Sequence, residues 1–251
     1  KGASLSYAHN NDTGDDIAEI VGTASFVVAR DPCREAPEDS EPGEMILSAY
    51  ALAPYISLDG KVSTAKQEKN NVRVGFDAQF EMFSGKIFNN QFLTLSPYYQ
   101  TDFDLRGSAY GLVATWEPVL LDARLGGAIR QANSFYDFFW QLKLEADALR
   151  VEDAGNTNLK DDTEYAWLGG TAKITGFILP DLLDDRVYAT GEFQYFWDAV
   201  ANREISKYSS ELGYNLTEDG STSVSVGYAN GKDKKSLEEK DEITVKLNYK
   251  L

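Results

Sequence analysis

Few side chains in this sequence could take part in catalysis. The chain of 251 residues has one histidine, His9, and one cysteine, Cys33. A serine hydrolase needs a histidine base beside an activated serine, and Ser6 would point away from His9 if both lie on a strand. One histidine and one cysteine also cannot supply the ligands of a His/Cys zinc site. The sequence therefore predicts no enzyme, no cofactor and no metal centre.

Carboxylates are numerous, and four adjacent pairs lie in predicted loops: Asp15-Asp16, Glu152-Asp153, Asp161-Asp162 and Asp184-Asp185. Such oxygens could bind calcium or a cation that bridges lipopolysaccharide. The Asp-x-Asp-x-Asp-Gly spacing of a dedicated calcium loop is absent, so solvated loop charge is the favoured interpretation. The formal net charge of −16 argues against nucleic acid as a partner, because phosphate backbones select basic surfaces.

A second set of charged residues occupies alternate positions in segments that otherwise read as strands. Six are acidic and four are basic: Asp77, Glu81, Glu145, Asp147, Glu192 and Glu211, with Arg73, Lys143, Lys246 and Lys250. If these residues face the inside of a barrel, they must pair or stay hydrated, because an unpaired buried charge is costly. They would then either plug the lumen or line a narrow pore for small polar or ionic solutes, with a bias towards cations.

The elements that would position these charges show a period of two residues. In the segment Glu242–Leu251 one face is Ile243, Val245, Leu247, Tyr249 and Leu251, and the opposite face is wholly polar. A strand separates residues in this way, whereas a helix scatters them around its axis. The sequence has no run of about 18 apolar residues, so it predicts no transmembrane helix.

Twelve segments of this kind predict an all-β, antiparallel transmembrane β-barrel of about twelve strands, within a range of ten to fourteen. Their length of about ten residues is that of strands that cross a bilayer at a tilt. They are Ile20–Arg30, Ile46–Leu58, Asn71–Met82, Phe92–Asp102, Ser108–Trp116, Leu121–Ile129, Trp140–Leu149, Tyr165–Ile178, Val187–Trp197, Tyr208–Leu216, Ser221–Asn230 and Glu242–Leu251.

The whole chain, residues 1–251, is predicted to be one domain. The run Ala3–His9 is either a thirteenth strand or part of an N-terminal arm over residues 1–16. Residues 31–44, which are rich in Pro, Glu and Asp, are predicted to form a long acidic loop that contains Cys33.

The connections predict which end of the barrel each loop occupies. If the C-terminus is periplasmic, Gly231–Asp241, Asp198–Ile205 and Glu152–Thr163 face outward. The polar segment Asp59–Asn70 would then face the periplasm, although long polar loops are typical of the other side. This conflict indicates an error in the strand count of the first half.

Alternation also fits a soluble β-barrel or sandwich, whose apolar face would point inward. Aromatic residues near the ends of the apolar rows favour the membrane, because such rings suit the two membrane–water interfaces. The predicted membrane girdle is Trp140, Tyr165, Trp167, Tyr195, Trp197, Tyr214, Tyr228 and Tyr249.

From about Ile20 to Leu251 the chain resembles the bacterial outer-membrane β-barrel proteins, a porin-like superfamily in general. Members commonly finish in an alternating strand with an aromatic last residue that the barrel-assembly machinery reads. Thr244, Tyr249 and Leu251 match its polar, aromatic and terminal apolar positions. The chain departs from the pattern in having Leu251 instead of Phe as the last residue and Lys246 where Gly is common.

The resemblance implies a location in the bacterial outer membrane, with lipid and lipopolysaccharide around the barrel and the assembly machinery as a partner during biogenesis. The predicted function is a porin-like channel for passive diffusion of small polar or cationic solutes. The alternative is a closed barrel that acts as a scaffold through its loops or rim. The sequence names no protein partner and no oligomeric state.

Overall fold

The computed structural model describes residues 2–31, 45–64, 69–83, 87–88, 90–127, 136–155, 159–234, 237 and 239–250. Nearly all of the secondary structure in these residues is β-strand. The strands are β1 (Gly2–Asn10), β2 (Asp16–Ser25), β3 (Ala29–Asp31), β4 (Ile46–Ser63), β5 (Lys69–Phe83), β6 (Asn90–Thr101), β7 (Ser108–Val119), β8 (Tyr136–Asp153), β9 (Thr163–Ile178), β10 (Val187–Asp198), β11 (Arg203–Asn215), β12 (Thr222–Lys232) and β13 (Glu239–Lys250). A 3-10 turn, Leu121–Ala123, and a single helical turn, Pro180–Leu183, interrupt this series.

The strands form one closed antiparallel barrel. Each strand from β4 to β13 pairs with the next, β13 pairs with β1, and β1 pairs with β2. The ring closes where β2 pairs with β4 from Ile17↔Ser63 to Ser25↔Tyr55. The short β3 continues β2 and also pairs with β4. Between them, the amide of Val28 donates a hydrogen bond to the carbonyl of Leu52 in β4 over 2.9 Å. Because β2 and β3 together make one wall strand, the barrel has twelve strands, as predicted.

The apolar faces of the strands point outward and the polar faces point inward. In β13, Val245 is 47% exposed and Leu247 is 48% exposed, whereas Glu242 is 6% exposed and Thr244 is 9% exposed. A soluble barrel would show the reverse, because its apolar residues fill the core. The exposed apolar band and the polar interior are those of a transmembrane β-barrel, so the soluble alternative is wrong. No helix in the described part of the chain is both long and apolar enough to span a membrane.

The count of twelve is right although one of the assigned segments is wrong. The predicted strand Leu121–Ile129 is not a strand over its described residues, 121–127. Arg124 and Gly126 have φ values of 56° and 80°, which reverse the chain, and Leu120 and Leu125 bridge across the reversal. Residues 128 and 129 lie outside the described part. Of the two alternatives for Ala3–His9, the structure shows the strand, which restores the count.

The loss of the predicted strand Leu121–Ile129 and the gain of β1 change the end of the barrel at which the loops of the first half lie. We call the end where β1 begins and β13 finishes the terminal end, and the opposite one the distal end. The strand ends that are joined by residues 64–68, 154–162, 199–202 and 233–238 all lie at the distal end, because every neighbouring pair of strands is antiparallel. The segment Asp59–Asn70 was therefore assigned to the wrong side, and much of it belongs to β4 and β5. The two longest connections, 32–45 and 120–135, join strands at the terminal end.

Strands β4 and β8 contain 18 residues each, well above the predicted ten. The extra residues of β4 and the last four of β8 extend the wall at the distal end, where the sequence suggested loops, and the first four of β8 extend it at the terminal end. The predicted acidic loop over residues 31–44 lies outside the described residues except for Asp31, which ends β3. Cys33 and Leu251 also lie outside them.

Candidate pore and its lining

The histidine lies on the outer face of the barrel near the distal rim. His9 Nδ1 is 3.0 Å from Asp16 Oδ1, and the Tyr7 hydroxyl donates to the same oxygen over 2.7 Å. Ser6 faces the interior, where its hydroxyl donates to Glu19. Among the described residues no serine hydroxyl bonds to His9, so the base and nucleophile of a serine hydrolase are not brought together.

Two carboxylates of the acidic pairs cap the turn between β8 and β9. Asp153 accepts the amide of Gly155 over 2.9 Å, and Asp161 accepts the amide of Ala154 over 2.6 Å. Asp185 has a φ of 56°, as a turn residue. Within the described ranges no three His, Cys, Asp or Glu side chains converge to hold a metal ion.

The structure places the ten predicted lumen residues on inward faces of the strands. Nine of them line interior cavities: Arg73, Asp77, Lys143, Glu145, Asp147, Glu192, Glu211, Lys246 and Lys250. Glu81 shares the face of Arg73 and Asp77 on β5 and accepts a hydrogen bond from Asn90. The lining is therefore built from several strands that lie far apart in the sequence.

Several of these charges contact each other or polar neighbours. Lys246 Nζ is 3.4 Å from Glu211 Oε2, and Lys143 Nζ is 3.5 Å from Glu145 Oε2. The guanidinium of Arg73 donates to Gln100 over 2.8 Å and lies 4.1 Å from the centre of the Tyr98 ring.

One lumen cation comes from a connection rather than from the wall. Lys234, which follows β12, donates to Asp147 Oδ2 over 2.6 Å and also to Glu145. The Tyr98 hydroxyl donates to the other oxygen of Asp147 over 3.4 Å. The sequence pattern assigned Lys234 to a charged outer loop, and loop composition carries no sign that one of its lysines turns inward.

An apolar cluster fills part of the interior near the distal end. It includes Tyr165, Trp167, Leu149 and Phe196, together with Leu159 from the connection between β8 and β9. The rings of Tyr165 and Trp167 stack with centroids 5.1 Å apart and are 5% and 2% exposed. Their assignment to the membrane girdle was wrong, because they belong to the inward face of β9, which continues through Gly169 and Thr171.

The other predicted girdle residues lie on outward faces. Trp140, Tyr214 and Tyr249 are near the terminal end, and Tyr195, Trp197 and Tyr228 are towards the distal end. Tyr7, Tyr99 and Tyr110, which the sequence reading missed, are 53%, 47% and 45% exposed on the same outer surface. The outward aromatic residues therefore form two levels.

Three cavities that share Lys246 occupy the interior of the barrel. A cavity of about 880 Å³ near the distal end is lined by Asp59 and Asp233, among others. A cavity of about 560 Å³ at the terminal end is lined by Asn215 and Lys250. Both touch Lys246 and Val21, and a third cavity of about 300 Å³, which also touches Lys246, extends along the wall to Ala8 and Glu242 near the distal end.

The charges that line these cavities balance. The described lining contains nine basic residues, Lys61, Arg73, Lys143, Lys173, Lys207, Lys234, Lys240, Lys246 and Lys250, and nine acidic residues, Glu19, Asp59, Asp77, Glu145, Asp147, Glu192, Glu211, Asp233 and Glu242. The excess of carboxylates that the sequence predicted for the lumen is absent from this lining, because five further lysines and only four further carboxylates join it, and Glu81 does not line these three cavities. The net charge of −16 is therefore carried outside these cavities.

No protein-family model and no curated protein matches the chain. Among solved structures, the chain is similar to the NanC porin, with 8% identity, 99% of this chain and 100% of that chain covered, and a TM-score of 0.51. The KdgM porin (8% identity, 100% and 99% covered, TM-score 0.48) and an outer membrane channel from Pseudomonas putida F1 (11% identity, 99% and 93% covered, TM-score 0.45) are also similar. At these identities, the likeness to the NanC porin shows a shared outer-membrane β-barrel fold.

Proposed function

We propose that this chain is a channel of the bacterial outer membrane through which small polar solutes diffuse passively. The observation that carries the proposal is the series of polar cavities, which runs from Asp233 near the distal end to Lys250 at the terminal end. A solute in this series meets hydroxyl, amide and charged side chains throughout. The NanC porin, which shares this fold with a TM-score of 0.51, is a porin by name, and this supports the same function.

The outer surface supports the location. Apolar side chains cover the barrel between two levels of aromatic residues, as in proteins whose outer face meets lipid. We therefore include outer-membrane lipid and lipopolysaccharide as its surroundings, and the assembly machinery as the partner that inserts it. No catalytic activity is part of the proposal.

The cation preference predicted from the sequence is not part of the proposal either. Nine acidic and nine basic side chains line the described cavities, so the lining as a whole attracts neither sign of charge. Solutes that carry many hydroxyl or amide groups would replace lost hydration with hydrogen bonds to the wall.

A closed scaffold barrel is the second candidate, because side chains from two connections occupy the distal half of the lumen. Leu159 and Leu237 pack with the apolar cluster, and Lys234 contacts Glu145 and Asp147. If these contacts seal the lumen, the remaining function would be binding through loops or rim.

Swelling of liposomes that contain the purified protein distinguishes the two candidates. The folded protein, identified by its altered gel migration before boiling, should admit small uncharged sugars and exclude large dextrans. The matched control is liposomes with boiled protein. Folded protein that admits no solute above this control would contradict the channel and leave the scaffold.

A further inference from the structure

The connection between β12 and β13 brings a cation across the lumen. Lys234 contacts Glu145 and Asp147 of β8, which lies four strands away from β12 around the wall. The side chain of Lys234 is 10% exposed, and those of Glu145 and Asp147 are 10% and 7% exposed. These contacts therefore lie inside the barrel.

Two aromatic rings help to hold this ammonium group in place. Lys234 Nζ lies 4.8 Å from the centre of the Phe196 ring and 5.6 Å from that of Trp167. Aromatic faces attract cations, most strongly where water is excluded. With two carboxylates and two rings around it, the charge has a defined position.

The position of Lys234 changes the charge that a permeating ion meets. Glu145 and Asp147 are neighbouring carboxylates of one wall face, and alone they would attract cations into the distal cavity. Lys234 supplies a positive charge within hydrogen-bond distance of both. Lys143 also contacts Glu145, so each of the two carboxylates has a lysine beside it.

We infer that Lys234 is the selectivity-determining residue of the proposed channel, because it cancels the cation preference that Glu145 and Asp147 would otherwise impose. The wild-type channel then passes small cations and small anions with similar ease. The inference rests on the proposed function, since only a conducting barrel has a selectivity to set.

Reversal potentials in planar bilayers with a KCl gradient test this role. The K234Q variant should raise the ratio of K⁺ to Cl⁻ permeability roughly tenfold at about 0.1 M salt. The lost positive charge repels K⁺ and attracts Cl⁻. For an ion about 10 Å from it, removing this charge changes each permeability roughly threefold, in opposite directions. The E145Q/D147N double variant should move the ratio in the opposite direction, and K234R should keep the wild-type ratio.

The matched control is R150Q. Arg150 lies on the outward face of the same strand, 47% exposed and paired with Glu164, so its neutralisation changes the net charge equally without changing the lumen. The ratio should stay at the wild-type value in this variant. All proteins are scored for folding by gel migration, and E145Q/D147N carries the test if K234Q does not fold.

The outcomes separate the two proposals. If every folded protein conducts and the ratio is the same in wild type, K234Q and E145Q/D147N, the role of Lys234 is contradicted and the channel stands. An equal shift in R150Q would also overturn it, because a surface charge would then suffice. If no folded protein conducts, the channel itself fails and the role of Lys234 fails with it.

Discussion

Lys234 and Asp147 are 87 residues apart in the chain, yet Lys234 Nζ donates a hydrogen bond to Asp147 Oδ2 over 2.6 Å inside the barrel. This contact joins a connection at the distal end to the wall strand β8, across the lumen. An ion pair in such a place is retained only with good geometry and further partners, since both charges lose hydration. Here the Tyr98 hydroxyl and the Phe196 and Trp167 rings supply those partners.

The inward position of Trp167 predicts its behaviour towards lipid. In variants that keep one tryptophan each, brominated lipids should quench the fluorescence of Trp197, which is 40% exposed, and spare Trp167, which is 2% exposed. The boiled proteins serve as controls, in which the difference should vanish. Stronger quenching of Trp167 than of Trp197 would return Trp167 to the membrane girdle.

The alternation of faces predicts four further positions. A fluorescent probe on a cysteine at Val74 or Val245 should be quenched by lipid, since both side chains point outward. A probe at Arg73 or Thr244, one residue away in each strand, should be quenched by a water-soluble reagent instead. The reverse pattern would mean that the polar face meets the bilayer and would contradict the inside-out barrel.

Asp198 is predicted to stabilise the turn between β10 and β11. Its fully buried carboxylate accepts hydrogen bonds from Arg203 at 2.9 Å and from the amides of Val200 and Ala201 at 3.2 and 3.1 Å. The D198A variant should lower the free energy of unfolding in urea by about 1–3 kcal/mol, because these donors lose their partner.

The matched control for this variant is D122A, which removes an exposed carboxylate from the 3-10 turn Leu121–Ala123. Its free energy of unfolding should stay within about 0.5 kcal/mol of the wild type. Equal effects of D198A and D122A would show that the buried hydrogen bonds do not contribute.

The turn between β11 and β12 carries a pH prediction. The amide of Ser221 and the hydroxyls of Thr217 and Ser221 donate to Asp219 and lower the pKa of its carboxyl to about 2. A lowered folded pKa means that the carboxylate stabilises the turn above the ordinary pKa of about 4 and loses this effect as the pH falls through about 2. An NMR titration of the Asp219 carboxyl carbon should have its midpoint near that value, and a midpoint near 4 would contradict these hydrogen bonds.

Much of the barrel could be predicted from the sequence because a strand reports its two faces directly. The alternation in Glu242–Leu251 predicts both the strand β13 and the side that faces lipid. The alternating pattern could not exclude a strand at Leu121–Ile129, because the chain reversal there depends on the backbone conformation of Arg124 and Gly126. It also could not separate the inward rings of Tyr165 and Trp167 from the outward ring of Trp197, since aromatic residues suit both a girdle and a core.

The lining was only half predictable for a related reason. Wall residues such as Glu145 and Asp147 follow from the period of β8, but Lys234 belongs to a connection without a period. Which loop side chain turns inward depends on carboxylates 87 and 89 residues away. The predicted cation preference had the wrong balance for another reason, because it left out four lysines of the wall strands, Lys61, Lys173, Lys207 and Lys240.

Single-barrel conductance in a planar bilayer tests the central claim, a hydrated path from one end of the barrel to the other, most directly. Folded protein should give discrete conductance steps that grow with KCl concentration, because ions would cross through the polar cavities between Asp233 and Lys250. Folded protein that inserts into the bilayer and gives no conductance steps would contradict the account.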